Sequence, residues 1–229
     1  MTGPGLILTT HTGSLPRPPD LVAMLREREE GRRPDEGVFQ ARVRAAVHEA
    51  VRKQTETGLS IVDDGEQGRA DYTVYVKDRL SGFEGESAPL PSLDADEFPE
   101  WTEMARQFAP PFQRRPACTG PVAWKDWGAV ERDIQTLREA TAGRPPEQVF
   151  MTSPSPGQIG RFLPNRHYPS DEAYLFALAD VMRREYRAIV QAGFTLQIDC
   201  PDLALGRHTQ FAHLTLDEFR TVAEMQSRS

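Results

Sequence analysis

Short apolar runs alternate with amphipathic stripes along this chain, and each run ends in a polar loop rich in glycine or proline. That alternation constrains the fold more than any other feature. Leu6–Thr10 is apolar and β-branched, and it breaks at Gly13 into a loop holding Pro16, Pro18 and Pro19. Val43, Ala46, Val47, Ala50 and Val51 fall on one face of a helix that Gly58 stops, and Leu59–Val62 follows as a second strand ending in Asp63, Asp64, Gly65 and Glu66. Ala117–Trp124 reads as a third strand, followed by a helical stripe at Val130, Ile134 and Leu137. Val149–Thr152 reads as a fourth. Ser170 caps a long helix whose apolar face runs from Leu175 to Val190, and Phe194–Ile198 is a fifth strand ending in Asp199, Cys200, Pro201 and Asp202.

Strands alternating with helices predict a parallel α/β sheet. The chemically useful side chains recur at strand C-terminal ends and no glycine-rich dinucleotide fingerprint follows the first strand, so a (β/α)8 TIM barrel is expected over a doubly wound sheet. About the first five of its eight units are counted, so 1–229 is read as a single, incomplete barrel. Residues 81–116, rich in proline and acids, form an insertion with one short helix around Trp101–Phe108, whose length suits a lid and a merely decorative insertion equally. Thr215 and Glu218 form a capping box that opens a last helix.

Composition narrows the partners. Acidic residues number 34 against 27 basic, a net charge of −7, which offers no basic face for nucleic acid. No apolar stretch reaches signal-peptide or membrane-spanning length, and the two cysteines, Cys118 and Cys200, suggest no disulfide framework. A cytoplasmic protein acting on a small molecule is the expectation, with self-association or a complementing chain at open barrel edges.

The residues that could carry chemistry are His11, Gly13 and Ser14 after the first strand, Asp63, Asp64 and Glu66 after the second, and Asp199 and Asp202 after the fifth. Carboxylates converging at a barrel mouth can hold an ammonium group, bind a hard metal or act as acid and base, and spacing alone does not choose among these. Asp63, Asp64 and Asp202 equally suit helix caps or bonds to loop amides.

Three motifs, TTHTGSLPRP at 9–18, DDGEQGR at 63–69 and LQIDCPDLA at 196–204, occur in the order found in the catalytic barrel of cobalamin-independent methionine synthase and its short single-barrel relatives, which the chain resembles; MTSPSPG at 151–157 matches that family's fourth-strand loop. The resemblance implies methyl or alkyl transfer to a thiol such as homocysteine, with zinc presenting the thiolate. It also implies that Gly13 and Ser14 bind the substrate carboxylate and that Glu66 and Asp199 bind its ammonium, with His11 and Cys200 as possible contacts. Cys200 stands where folate-dependent members have Glu, and the fourth-strand loop lacks their Trp, which counts against folate. The family's zinc ligands, a His-x-Cys pair followed by Glu and a second Cys, are not found in the chain, so no metal ligand is assigned. Two other readings stand beside this one: a non-catalytic fragment or split-barrel subunit, and a metal-free decarboxylase of the uroporphyrinogen type. The acidic strand ends argue against the decarboxylase.

Overall fold

The computed structural model describes residues 7–88, 93–108 and 115–229. Leu6 and the insertion prolines at 89, 91, 110 and 111 lie outside that set. In chain order the elements are α1 (Pro19–Glu29), α2 (Glu36–Glu56), α3 (Val76–Arg79), β1 (Phe83–Glu84), α4 (Leu93–Glu97), α5 (Pro99–Phe108), β2 (Ala117–Cys118), α6 (Trp127–Ala140), β3 (Phe150–Pro154), α7 (Pro156–Phe162), α8 (Asp171–Gln191), β4 (Thr195–Asp199), α9 (Asp202–Leu205) and α10 (Leu216–Arg228). The fold is α/β, and the chain forms two compact units, each assembled from three stretches of sequence.

The first unit holds residues up to 72, 127–153 and 185–197. The Asp35 side chain caps α2 by accepting the Val38 N–H at 2.9 Å, and α2 then buries Phe39, Val43, Ala46, Val47, Ala50 and Val51 along one face. That face packs on α1 and on α6, whose buried residues are Val130, Ile134 and Leu137. At roughly 1.5–3 kcal/mol for each large apolar side chain buried, this face, and not intrinsic helix propensity, holds α2 in place.

Beside these helices, short extended segments line up. The Thr9 carbonyl accepts from the Ser60 and Ile61 amides at 3.0 and 3.1 Å. Val62 bridges Val149 in parallel, and the Val149 carbonyl accepts from the Thr195 amide at 2.9 Å. β3 pairs with β4. Every residue of β3 is buried, the pattern of an inner strand of a parallel sheet. Among the described residues no closed sheet forms, and residues 7–10 are extended without being a regular strand.

The second unit, residues 73–126, 154–184 and 198–229, corrects the expected strand order. Val62 pairs directly with Val149, so Ala117–Trp124 does not stand between them as a third wall strand. Residues 117–118 instead pair antiparallel with Phe83–Glu84 at the start of the insertion, and Leu80 bridges Trp124. The expected five aligned segments therefore number four among the described residues, around Thr9, Val62, Val149 and Thr195. The cause is local. Gly120 and Pro121 interrupt the run, and Gly82, at φ +90°, lies so close that a Cβ there would sit 2.6 Å from the Gly120 carbonyl oxygen. The expected insertion helix is present as α5, and the Thr215–Glu218 capping box is formed in full.

Candidate functional site

The loops after the first two aligned segments meet at Glu66, inside the first unit. Two buried aspartates shape the second loop. Asp63 Oδ1 accepts the Gly65 amide at 2.9 Å and Asp64 Oδ1 accepts the Glu66 amide at 2.8 Å, side-chain turns that bring Gly65 and Glu66 into the left-handed region at φ +61° and +53°. Glu66 is the one non-glycine residue with positive φ among the described residues. Such a conformation costs on the order of 1 kcal/mol or more and collects at functional sites.

The Glu66 side chain is 1% exposed and held at both oxygens. Ser14 Oγ donates to Oε2 in a short hydrogen bond, and Thr152 Oγ1, at the end of β3, donates to Oε1 at 2.8 Å. Thr152 is fixed in turn by Arg69, whose guanidinium donates to its carbonyl and hydroxyl oxygens at 2.9 and 3.0 Å. Arg17 donates to the Glu66 carbonyl at 2.7 Å. Gly13 lies against this carboxylate so closely that a Cβ would stand 2.8 Å from Oε1, which explains a glycine there. The two loops are also tied through their backbones, since the Leu15 amide donates to the Gly65 carbonyl at 3.0 Å.

His11 secures the first loop from behind. Its Nε2 lies 2.7 Å from Asp63 Oδ1 and 3.0 Å from Gln54 Oε1, and its Nδ1 accepts the Gly13 amide at 3.2 Å. Asp63 beside it raises the His11 pKa, against the opposing effect of burial. Burial pushes Asp63 up as well, and pushes the Asp64 carboxyl up to about 7. A cavity of about 640 Å³ opens on this side, bordered by His11, Leu15, Arg17, Gln54 and Gln67.

The structure thus joins Gly13, Ser14 and Glu66, and it places Asp63 and Asp64 as loop builders, as the amide-bonding alternative required. Asp199 ends β4 in the second unit, where its carbonyl accepts the Ser155 amide at 2.9 Å. Asp202 is 1% exposed and accepts from Ser155 Oγ at 2.7 Å, a structural role. Cys200 is half-buried and its thiol is pushed up by burial and by Asp202 and Asp199, the reverse of a poised thiolate. Sequence reasoning missed Gln54, Thr152, Arg17 and Arg69. Arg17, Arg69 and Thr152 lie inside the recognised motifs, but nothing local marks Gln54, and the partners of Gln54 and Thr152 are distant in sequence.

The zinc ion that the resemblance implies needs a converging set of thiolate, imidazole or carboxylate donors. Among the described residues no group of three His, Cys, Asp or Glu side chains is placed to hold a metal ion. Cys118 is buried with its thiol on the Gly120 carbonyl, and both His11 nitrogens are engaged. These residues do not fit a zinc site. Also among the described residues, no helix is long and apolar enough to cross a membrane.

Comparison with known proteins agrees with the motifs. Residues 7–89 match the family described as Cobalamin-independent synthase, Catalytic domain. Methionine synthase of Thermococcus kodakarensis is 26% identical over 86% of this chain and 52% of its own length, and that of Pyrococcus furiosus is 24% identical over 93% and 56%. The chain spans about half the length of these curated relatives. A B12-independent methionine synthase from Shewanella, solved in complex with selenomethionine, superposes with a TM-score of 0.65 at 23% identity, covering 87% of this chain and 53% of the other. A putative vitamin-B12 independent methionine synthase from Listeria monocytogenes gives 0.56 at 22% identity, covering 84% and 51%. By these likenesses the chain is similar to the cobalamin-independent methionine synthases over most of its own length.

Proposed function

We propose that this chain carries the amino-acid-recognition part of a methionine-synthase-type β/α barrel, serving methyl or alkyl transfer to a thiol such as homocysteine. The observation that carries this reading is the Glu66 carboxylate, buried in a strained turn between two hydroxyl donors and beneath a glycine that leaves it room. A carboxylate has about four acceptor positions, and Ser14 and Thr152 use two, so an ammonium group with three donors has a place to bind. The Gly13 amide is given to His11 and the Leu15 amide to Gly65. That leaves the exposed Ser14, with its N–H and hydroxyl, for the substrate carboxylate. In this reading Ser14 Oγ turns from Glu66 to the ligand as the ammonium takes its place on Oε2.

The selenomethionine bound to the Shewanella relative carries the same ammonium and carboxylate groups. Asp199 is proposed as a further ammonium acceptor on the family resemblance alone. Zinc in this family supplies the thiolate, but no step is assigned to it here because the described side chains do not form its ligand set. Titration of the chain with L-methionine and L-homocysteine tests the proposal. Glu66→Gln, which removes the charge and keeps the size, is expected to weaken binding by about ten-fold or more, since a hydrogen bond to a charged group contributes about 1.5–3 kcal/mol. Unchanged affinity would overturn it.

A further inference from the structure

We propose that His11 is a positioning residue for this amino-acid site: its Nδ1 accepts the Gly13 amide and so sets the loop that carries Ser14, while Asp63 and Gln54 hold the ring in the one tautomer able to do this. The inference rests on the reading of the Ser14–Glu66 site given above, and it assigns a role to a histidine outside the ligand's own contacts.

The tautomer follows from three neighbours. Gln54 is oriented by backbone at both ends, its Nε2 donating to the Asp63 and Ala50 carbonyls at 2.8 and 3.2 Å and its Oε1 accepting the Asp63 amide at 3.0 Å. The atom it turns toward His11 is therefore an acceptor. Asp63 presents a second acceptor to the same ring nitrogen, so Nε2 must carry the proton. The Gly13 N–H faces Nδ1 and can only donate, so Nδ1 must be bare. Donor and acceptor roles agree at every contact. Gln54 and Asp63 are 4% and 0% exposed, and the Phe150 ring lies edge-on 6.1 Å away, so the ring has fixed walls.

A second proton on His11 changes this. It would sit on Nδ1 and point a donor at the Gly13 N–H, and the loop bond would be lost. The side chain is 19% exposed on the cavity side, so protons from solvent reach it. The charged groups around it are Asp63 and Glu66 from the acidic loop, Arg17 from its own loop, and Glu49 and Lys53 from α2 on the wall of the same cavity. Asp63 favours the protonated ring, so the change falls within reach of neutral pH. Affinity for the amino acid therefore falls as pH drops.

The test has one arm without ligand and one with it. In ligand-free chain labelled with 15N, the imidazole at pH 8 should show a bare Nδ1 and a protonated Nε2, and the Gly13 amide should shift on acidification with the same midpoint as the ring. A protonated Nδ1 at pH 8, or a Gly13 amide blind to the titration, would overturn the inference. In calorimetric titration with L-methionine, His11→Asn places an uncharged acceptor near the Nδ1 position. It should keep affinity within about three-fold of the wild type at pH 8 and abolish the acid fall. His11→Gln places its polar end toward Nε2 instead, loses the Gly13 contact, and should bind about ten-fold more weakly at every pH. Equal behaviour of the two variants would refute positioning. Absence of methionine binding in the wild type would sink the amino-acid-site reading itself, with the ligand-free arm still deciding the role of His11.

Discussion

Replacing Asp64 by Asn removes a charge whose burial costs more than its neighbours return. Asp64 is 5% exposed, and its known contribution is one lone pair, Oδ1, which accepts the Glu66 amide at 2.8 Å. An asparagine offers the same oxygen. Burial, reinforced by Asp63 and Asp133 and opposed by Arg69, lifts the Asp64 carboxyl from 3.8 to about 7. The folded state therefore holds this proton more tightly than the unfolded chain does. Stability from this group is fully present below about pH 4, falls as pH rises, and levels off above pH 7. At about 1.4 kcal/mol for each pH unit the whole loss is roughly 4 kcal/mol, and Asp64→Asn escapes it. Urea denaturation of both proteins from pH 5 to pH 8 is the assay. The variant should be the more stable at pH 8, with an advantage that grows by about 2–3 kcal/mol over that range. His11 works the same way, its raised pKa lending stability at acid pH that is lost as pH rises through its folded value, but it is common to both proteins and cancels. A variant no more stable at pH 8, or a difference that does not vary with pH, would refute the reasoning.

Gly13→Ala places a methyl group 2.8 Å from Glu66 Oε1 and 3.3 Å from Thr152 Cγ2, so the carboxylate must move off its hydroxyl partners. Methionine affinity measured by calorimetry is expected to fall at least ten-fold, with about 1–3 kcal/mol lost from stability in urea; wild-type affinity would show that the close approach has no bearing on binding. Ser14→Ala removes the hydroxyl that donates to Glu66 Oε2 and should weaken methionine binding by a smaller factor, about three- to ten-fold, with about 1–3 kcal/mol lost from stability in urea because the buried carboxylate loses one of its donors. Methionine affinity unchanged in that variant would mean that the hydroxyl serves the fold and not the ligand.

The sequence made some of this legible and hid the rest for physical reasons. The stripe from Val43 to Val51 announced α2, and Ser170 and the Thr215–Glu218 box announced the starts of α8 and α10, because these signals are local and repeat every turn. The loop residues Gly13, Ser14 and Glu66 were also visible, as polar groups placed after strand runs. α1 was hidden by Pro18 and Pro19, read as loop, although proline at a first helical position is compatible with a helix. The place of residues 117–124 was hidden because a short β-branched run does not name its partner; Phe83 and Glu84 lie more than 30 residues back. Thr152 lies in the recognised MTSPSPG run, but its contact with Glu66, like that of Gln54 with Asp63, was invisible for the same reason. Their roles exist only once Glu66 and Asp63 have been brought to them.

The most direct test of the central claim compares L-methionine with two analogues in calorimetric titration of the unmodified chain: 4-(methylthio)butanoate, which lacks the ammonium group, and 3-(methylthio)propylamine, which lacks the carboxylate. The account predicts that methionine binds, that loss of the ammonium weakens it ten-fold or more through Glu66, and that loss of the carboxylate weakens it through Ser14. Equal binding of methionine and the butanoate, or no binding of methionine, would contradict it.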